Sequence, residues 1–252
     1  MLRALFAIAC AGLLAGCATL TAIGDVTTPL DVYEISAPAD GPQARGQPTA
    51  RDLIVELPTA RGALDTDRIM IRPNPLQAQY LPRARWGEST PTMVQTLLVR
   101  SFEDTNAFRY VGRRPLGGSG DFALVSDVTD FHAELSEAND SVTVQLRVTA
   151  RLVREEDARI LAGRSFTANA AVQSTDSLNV VTGFDAAAKQ LLTQITRWTL
   201  STLSIPASGK KTAAHGRDGL PILPGPIPGR RQRFRRRSLR CHDARQGCRA
   251  AP

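Results

Sequence analysis

The sequence predicts an α+β fold: a two-layer sandwich of a mainly antiparallel sheet with two amphipathic helices packed on one face. Three observations predict it. Val142, Val144, Leu146, Val148 and Ala150 alternate with Thr143, Gln145, Arg147, Thr149 and Arg151, the period-2 pattern of a strand with one dry face and one wet face. The segments Asp121 to Leu135 and Ile160 to Val172 flank that run, separated by the polar stretches Glu137 to Asp140 and Glu155 to Ala158, which makes an antiparallel meander. Two further stretches, from Thr90 to Phe102 and from Leu178 to Leu203, space their apolar residues as helices do.

Taken in order, Leu30 to Ile35 alternates apolar and polar residues and reads as a first strand, and Ala37 to Arg51 as a Pro- and Gly-containing loop. The strand Asp52 to Leu57 stops at Pro58, and Arg68 to Arg72 stops at Pro73, because proline cannot donate to a ladder. Pro75 to Tyr80 is expected to return as the second arm of a hairpin. Thr90 and Pro91 supply an N-cap hydroxyl and a proline at the first helical position. Met93, Val94, Leu97, Leu98, Ser101 and Phe102 then share one face. Phe108 to Val111 reads as a strand and Gly117 to Gly120 as a turn. In the meander, Phe122, Leu124, Val128, Phe131, Phe166 and Ala168 are the expected core residues. In the last helix the stripe is Val181, Phe184, Ala188, Leu191, Leu192, Ile195, Trp198 and Leu203.

The ends of the chain are of a different kind. Leu5 to Leu14 is an apolar run preceded by Arg3. About 10 apolar residues are too few to span a bilayer, which takes about 20, but they suit the hydrophobic part of a secretory leader. Leu14-Ala15-Gly16-Cys17 follows and matches a bacterial lipobox. Cys17 is thus expected to carry a lipid after removal of residues 1–16; a plain secretory leader or a buried N-terminal helix is the alternative. Several acyl chains, at about 0.8 kcal/mol per buried methylene, hold a protein stably where one does not. Ala18, rather than Asp, follows Cys17, which favours a periplasm-facing anchor in the outer membrane. Residues 17–29 then form a tether, 30–205 a single domain and 206–252 a Pro- and Arg-rich tail.

Charge divides along the same boundary. The whole chain has a formal charge of +7, but from Gly209 onward there are 12 Lys+Arg against 2 Asp+Glu, leaving the remainder with 19 basic and 22 acidic residues, a net −3. The tail, with Arg230 to Arg237 at its centre, cannot bury a core. It reads as a solvated extension or as an electrostatic contact to anionic lipid or wall polymer. Export argues against nucleic acid. Cys10 leaves with the leader and Cys241 and Cys248 lie in the tail, so the domain is built without disulfides.

No catalytic or cofactor signature is present: G-x-S-x-G, H-E-x-x-H, the P-loop and a dinucleotide-type G-x-G-x-x-G are all missing. His132, between Asp130 and Glu134 at strand spacing, is expected to be a satisfied surface histidine. Cys241, His242 and Cys248 are too few and too unstructured a set to suggest a metal site. No enzyme activity, cofactor or metal is expected. Arg85 and Trp86, just ahead of the first helix, are a possible partner contact because Trp and Arg dominate binding hot spots; packing of Trp86 at the sheet edge is the other reading.

From the lipobox to about Leu203, the order of these pieces resembles the ABC-type transport auxiliary lipoproteins. The residues that carry the resemblance are Leu64 to Arg72, then Arg85-Trp86-Gly87-Glu88 leading into the first helix, then Asp127 to Phe131 in the first meander strand. The resemblance implies a non-enzymatic accessory of an MCE-type transporter. Its partners would be an MCE-domain protein with its ABC permease and ATPase and a membrane reached through the lipid anchor, with a homo-oligomer as a further candidate and phospholipid or another hydrophobic molecule as cargo. A pilot lipoprotein for an outer-membrane β-barrel or secretin is the alternative. The tail after Ser208 has no counterpart in that family.

Overall fold

The long strands of the meander set the architecture. In the computed structural model, which describes residues 29–138 and 140–209, β8 (Phe122–Leu135), β9 (Val142–Arg154) and β10 (Arg159–Val172) pair antiparallel in sequence order. At about 3.3 Å per residue, the 14 residues of β8 give one edge of roughly 46 Å, long enough for several partners. Three strands share that edge: β3 (Thr49–Val55) lies against its start, β4 (Thr59–Ala60) against its middle and β5 (Arg68–Asn74) against its end, all parallel to β8. The antiparallel return of β5 is β6 (Gln77–Trp86), flanked by the parallel β1 (Asp31–Tyr33). Beyond β3 lies β7 (Phe108–Gly112), again parallel. In this sheet the longest pairings, β8 with β9 and β9 with β10, are antiparallel.

Both helices cover one face. α1 (Thr90–Glu103) packs against β3 and β7, and α2 (Ser177–Thr202) against β9 and β10. The Gln95 side-chain amide donates to the Val55 carbonyl at 2.9 Å and ties α1 to the sheet through a buried hydrogen bond. α1 starts one residue earlier than its sequence suggests: Ser89 is the N-cap, while the Thr90 hydroxyl donates to the Thr66 carbonyl at 3.2 Å. At its far end α2 is followed by β11 (Ala207–Gly209), which pairs antiparallel with β2 (Pro42–Ala44), inside the stretch that composition reads as loop.

The core between the layers is continuous and centred on aromatic rings. Trp86 meets Phe184 edge-on at 5.2 Å and Phe131 at 6.1 Å, and Phe131 stacks on Phe184 at 5.4 Å. Such pairs add about 0.5–1.5 kcal/mol each beyond the area they bury. Trp198 is partly buried and packs edge-on against Phe166.

Candidate functional site

With the helices on one side, the other side of the meander is left to polar residues. Alternation in β9 sends Val144, Leu146, Val148 and Ala150 into the core and Gln145, Arg147, Thr149 and Arg151 to the open face. The same face of β10 presents Ser165 and Thr167, which pair with Thr149 and Arg147.

This face is concave. Residues 61–64 and the β5–β6 hairpin wall one side of a groove of about 420 Å³, and β8, β9 and β10 form the other, a volume within the usual range of small-ligand sites. Arg61, Arg72 and Arg147 line it, with Asp130 as the one acidic residue. Arg147 Nε is paired with Asp130 Oδ2 at 3.3 Å. The hydroxyls of Thr149 and Ser165, also at the groove, share a hydrogen bond of 2.7 Å.

Beside the groove lies His132. Sequence reasoning places it on the surface, and the structure corrects this: the residue is 1% exposed. A register shift between Val128 and Asp130 changes the alternation of β8, so that Phe131 enters the core and His132 turns away from the helices, flanked by Gln145 and Glu134. Its Nε2 lies 3.2 Å from Glu134 Oε1, and Nδ1 is buried with no partner. Burial is the main cause that holds the imidazole pKa below its ordinary value, helped by the nearby Arg72 and opposed by Glu134 and Asp130. His132 is therefore a neutral, buried group at ordinary pH.

The structure separates the pair Arg85 and Trp86. Trp86 is the last residue of β6 and is fully buried, so it packs in the aromatic core and offers no surface to a partner. This corrects the reading of Trp86 as a contact residue. Arg85 is half-exposed and bonded to Asp67 at 3.1 Å. Cys17, like the tail with Cys241, His242 and Cys248, lies outside the described residues.

A further ion pair lies at the end of the sheet where β8 starts. Arg109 grips Asp52 with two hydrogen bonds of 2.8 Å, and the Asp52 N–H donates to Asp121 Oδ2 at 2.8 Å. The guanidinium holds the Asp52 carboxyl below the usual carboxylate range. Its role is to join β3, β7 and the start of β8. Among the described residues no group of three or more His, Cys, Asp or Glu is placed to hold a metal ion, and no helix is long and apolar enough to cross a membrane.

Known proteins resemble this chain in sequence and fold. A family model described as the ABC-type transport auxiliary lipoprotein component matches residues 33–196. Protein XCC0632 of Xanthomonas campestris, a solved structure, is 28% identical, with a TM-score of 0.62 over 69% of this chain and 97% of that one. A crystal structure of an uncharacterised protein shares the fold at 16% identity, with a TM-score of 0.52 over 68% of this chain and 99% of that one. An uncharacterised protein of Bradyrhizobium diazoefficiens, bll6063, is 28% identical over 194 residues, which is 75% of this chain and 50% of the relative. The chain thus spans half the length of that curated relative.

Proposed function

The chain belongs to the ABC-type transport auxiliary lipoprotein family, and from that premise we propose that it is the lipid-anchored, non-enzymatic accessory of an MCE-type ABC transporter. Its task is to dock the MCE-domain protein, and with it the permease and ATPase, at the outer membrane. The cargo is phospholipid or another hydrophobic molecule. The observation that carries the reading is the family match over residues 33–196 behind a lipobox ending at Cys17.

The fold supports a binding role. One sheet face is closed by α1 and α2, so a partner has the open face and its groove to meet. The one histidine among the described residues is buried and engaged with Glu134, so it offers no accessible imidazole to a chemical step. Cys17 and Pro29 are twelve residue steps apart; at roughly 3.4 Å each they let the domain work up to about 40 Å from its anchor. Ala18 after Cys17 is the basis for outer-membrane rather than inner-membrane retention.

The test is a crosslinking pull-down from native membranes, wild type beside Cys17→Ala. Recovery of an MCE-domain protein with its permease and ATPase, reduced when the anchor is lost, is expected. Recovery of a β-barrel or secretin alone would replace this reading with that of a pilot lipoprotein. An unlipidated wild-type protein would remove the anchor on which the outer-membrane placement depends.

A further inference from the structure

The groove on the open face carries more positive charge than its own acids neutralise. Asp130 is engaged by Arg147. Glu134 stands next to Arg72 across the β5–β8 pairing, but one of its oxygens faces His132 and the other accepts from the Gln145 amide. Arg61 and Arg72 are consequently left without a carboxylate partner among the described residues. Arg72 is half-buried and lines the groove, where its guanidinium remains available to an anion from solvent.

The chemistry around this imbalance narrows the anion. Two unpaired guanidinium forks suit a group whose oxygens point in several directions, as those of a tetrahedral phosphate do and those of a planar carboxylate do not. Thr149 and Ser165 share one hydrogen bond, which leaves one O–H of the pair free to donate. Ala63 and Ala78 complete the rim with exposed methyl groups, against which the first carbons of an esterified phosphate can rest.

We propose that the groove binds the phosphate ester of an anionic phospholipid headgroup, with Arg61 and Arg72 on the phosphoryl oxygens. This names the cargo contact within the transport function above and rests on that reading. It gives the lipoprotein a direct hold on lipid in addition to its protein partner. His132 becomes the reporter of occupancy, because an anion at Arg72 cancels part of the positive field acting on the imidazole.

The experiment is histidine-detected NMR on the full chain carrying Cys17→Ala, so that no anchor lipid competes. The probe is dihexanoylphosphatidylglycerol below its micelle-forming concentration, with dihexanoylphosphatidylcholine and inorganic phosphate as the other arms. The phosphatidylglycerol should move the His132 resonances and raise the pH at which they titrate, whatever His215 and His242 in the basic tail do. Arg72→Gln should weaken that response about tenfold, the usual worth of a charge-assisted hydrogen bond. Arg61→Gln, on an exposed side chain where folding is not at stake, should weaken it as well. The choline ester and inorganic phosphate should both be weaker ligands.

An unmoved His132 would overturn the proposal. So would a response that survives both arginine substitutions, or one as strong with the choline ester. Equal binding of inorganic phosphate would show a phosphate site with no preference for lipid and overturn the headgroup assignment. A silent His132 with the pull-down intact removes only the lipid contact, whereas a failed pull-down with the His132 response intact removes the docking function instead.

Discussion

Replacing Trp86 by alanine distinguishes a core residue from a contact residue. The side chain is fully buried and touches Phe184 and Phe131 edge-on at 5.2 and 6.1 Å. Truncating a buried Trp or Phe to Ala costs about 3–5 kcal/mol, because the transfer energy is lost and the cavity collapses only in part. Two aromatic contacts go with it, which places Trp86→Ala toward the upper end of that range. For a domain of this size about 2–4 °C of melting temperature accompanies each kcal/mol, so the transition should fall by roughly 6–20 °C. The assay is urea unfolding of the Cys17→Ala chain, in a Trp198→Phe background so that fluorescence reports Trp86 in the reference protein, and by circular dichroism in the variant. Against total stabilities of about 5–15 kcal/mol that loss takes a large share of the margin, and Trp86→Phe, which keeps a ring in place, should lose much less. A loss below about 1 kcal/mol, the range of ordinary surface substitutions, together with failure to capture the MCE protein, would refute the packing argument and return Trp86 to the surface.

Two further substitutions test the layer contact and the buried histidine. A Cβ at Gly183 of α2 would stand 2.6 Å from Val172 Cγ2 and 3.0 Å from Val144 Cγ2. Helix propensity favours alanine by about 1 kcal/mol and overpacking costs about 1–3, so Gly183→Ala should lower stability by up to about 2 kcal/mol in urea unfolding, and a gain would mean that helix and sheet sit less closely. Burial lowers the His132 pKa from its ordinary 6.5, so the unfolded chain takes up that proton first; the group's contribution is complete above the unfolded pKa and declines as pH falls toward the folded one. His132→Gln should therefore flatten the dependence of the urea midpoint as the pH falls below about 6.5, and an unchanged slope would show that His132 protonates freely in the fold.

How far the sequence discloses this molecule depends on whether a feature is local. The meander was legible because Val142 to Leu152 keeps a strict alternation, and α2 because Val181, Phe184, Ala188, Leu191, Leu192 and Ile195 hold helical spacing. Where the backbone departs from regularity the pattern misleads. In β6 the buried residues are Leu81, Ala84 and Trp86, spaced three and then two apart, with Arg83 between them at φ 57°. That irregularity hides the second half of the strand and leaves Trp86 looking like the end of a loop. The register shift after Val128 does the same for His132. A parallel neighbour leaves no mark at all: nothing in Thr49 to Val55 says that it runs beside both β7 and β8.

The groove lies beyond sequence reading for the same reason, and its charge shows why it is more than an accident of curvature. Arg61, Arg72 and Arg147 come from a loop, from β5 and from β9, and only the shared edge of β8 brings them to one place. Only four arginines of the described residues, Arg85, Arg109, Arg147 and Arg154, have a carboxylate partner, so what sets Arg61 and Arg72 apart is that they face one groove together. Arg109 has Asp52, Arg85 has Asp67 and Arg154 has Asp157. At the groove the nearest carboxylates are instead diverted, Asp130 to Arg147 and Glu134 to His132 and Gln145. A buried neutral histidine is what makes the second diversion possible: it takes one oxygen of Glu134 without adding a charge, and Arg72 is left available to an anion from outside.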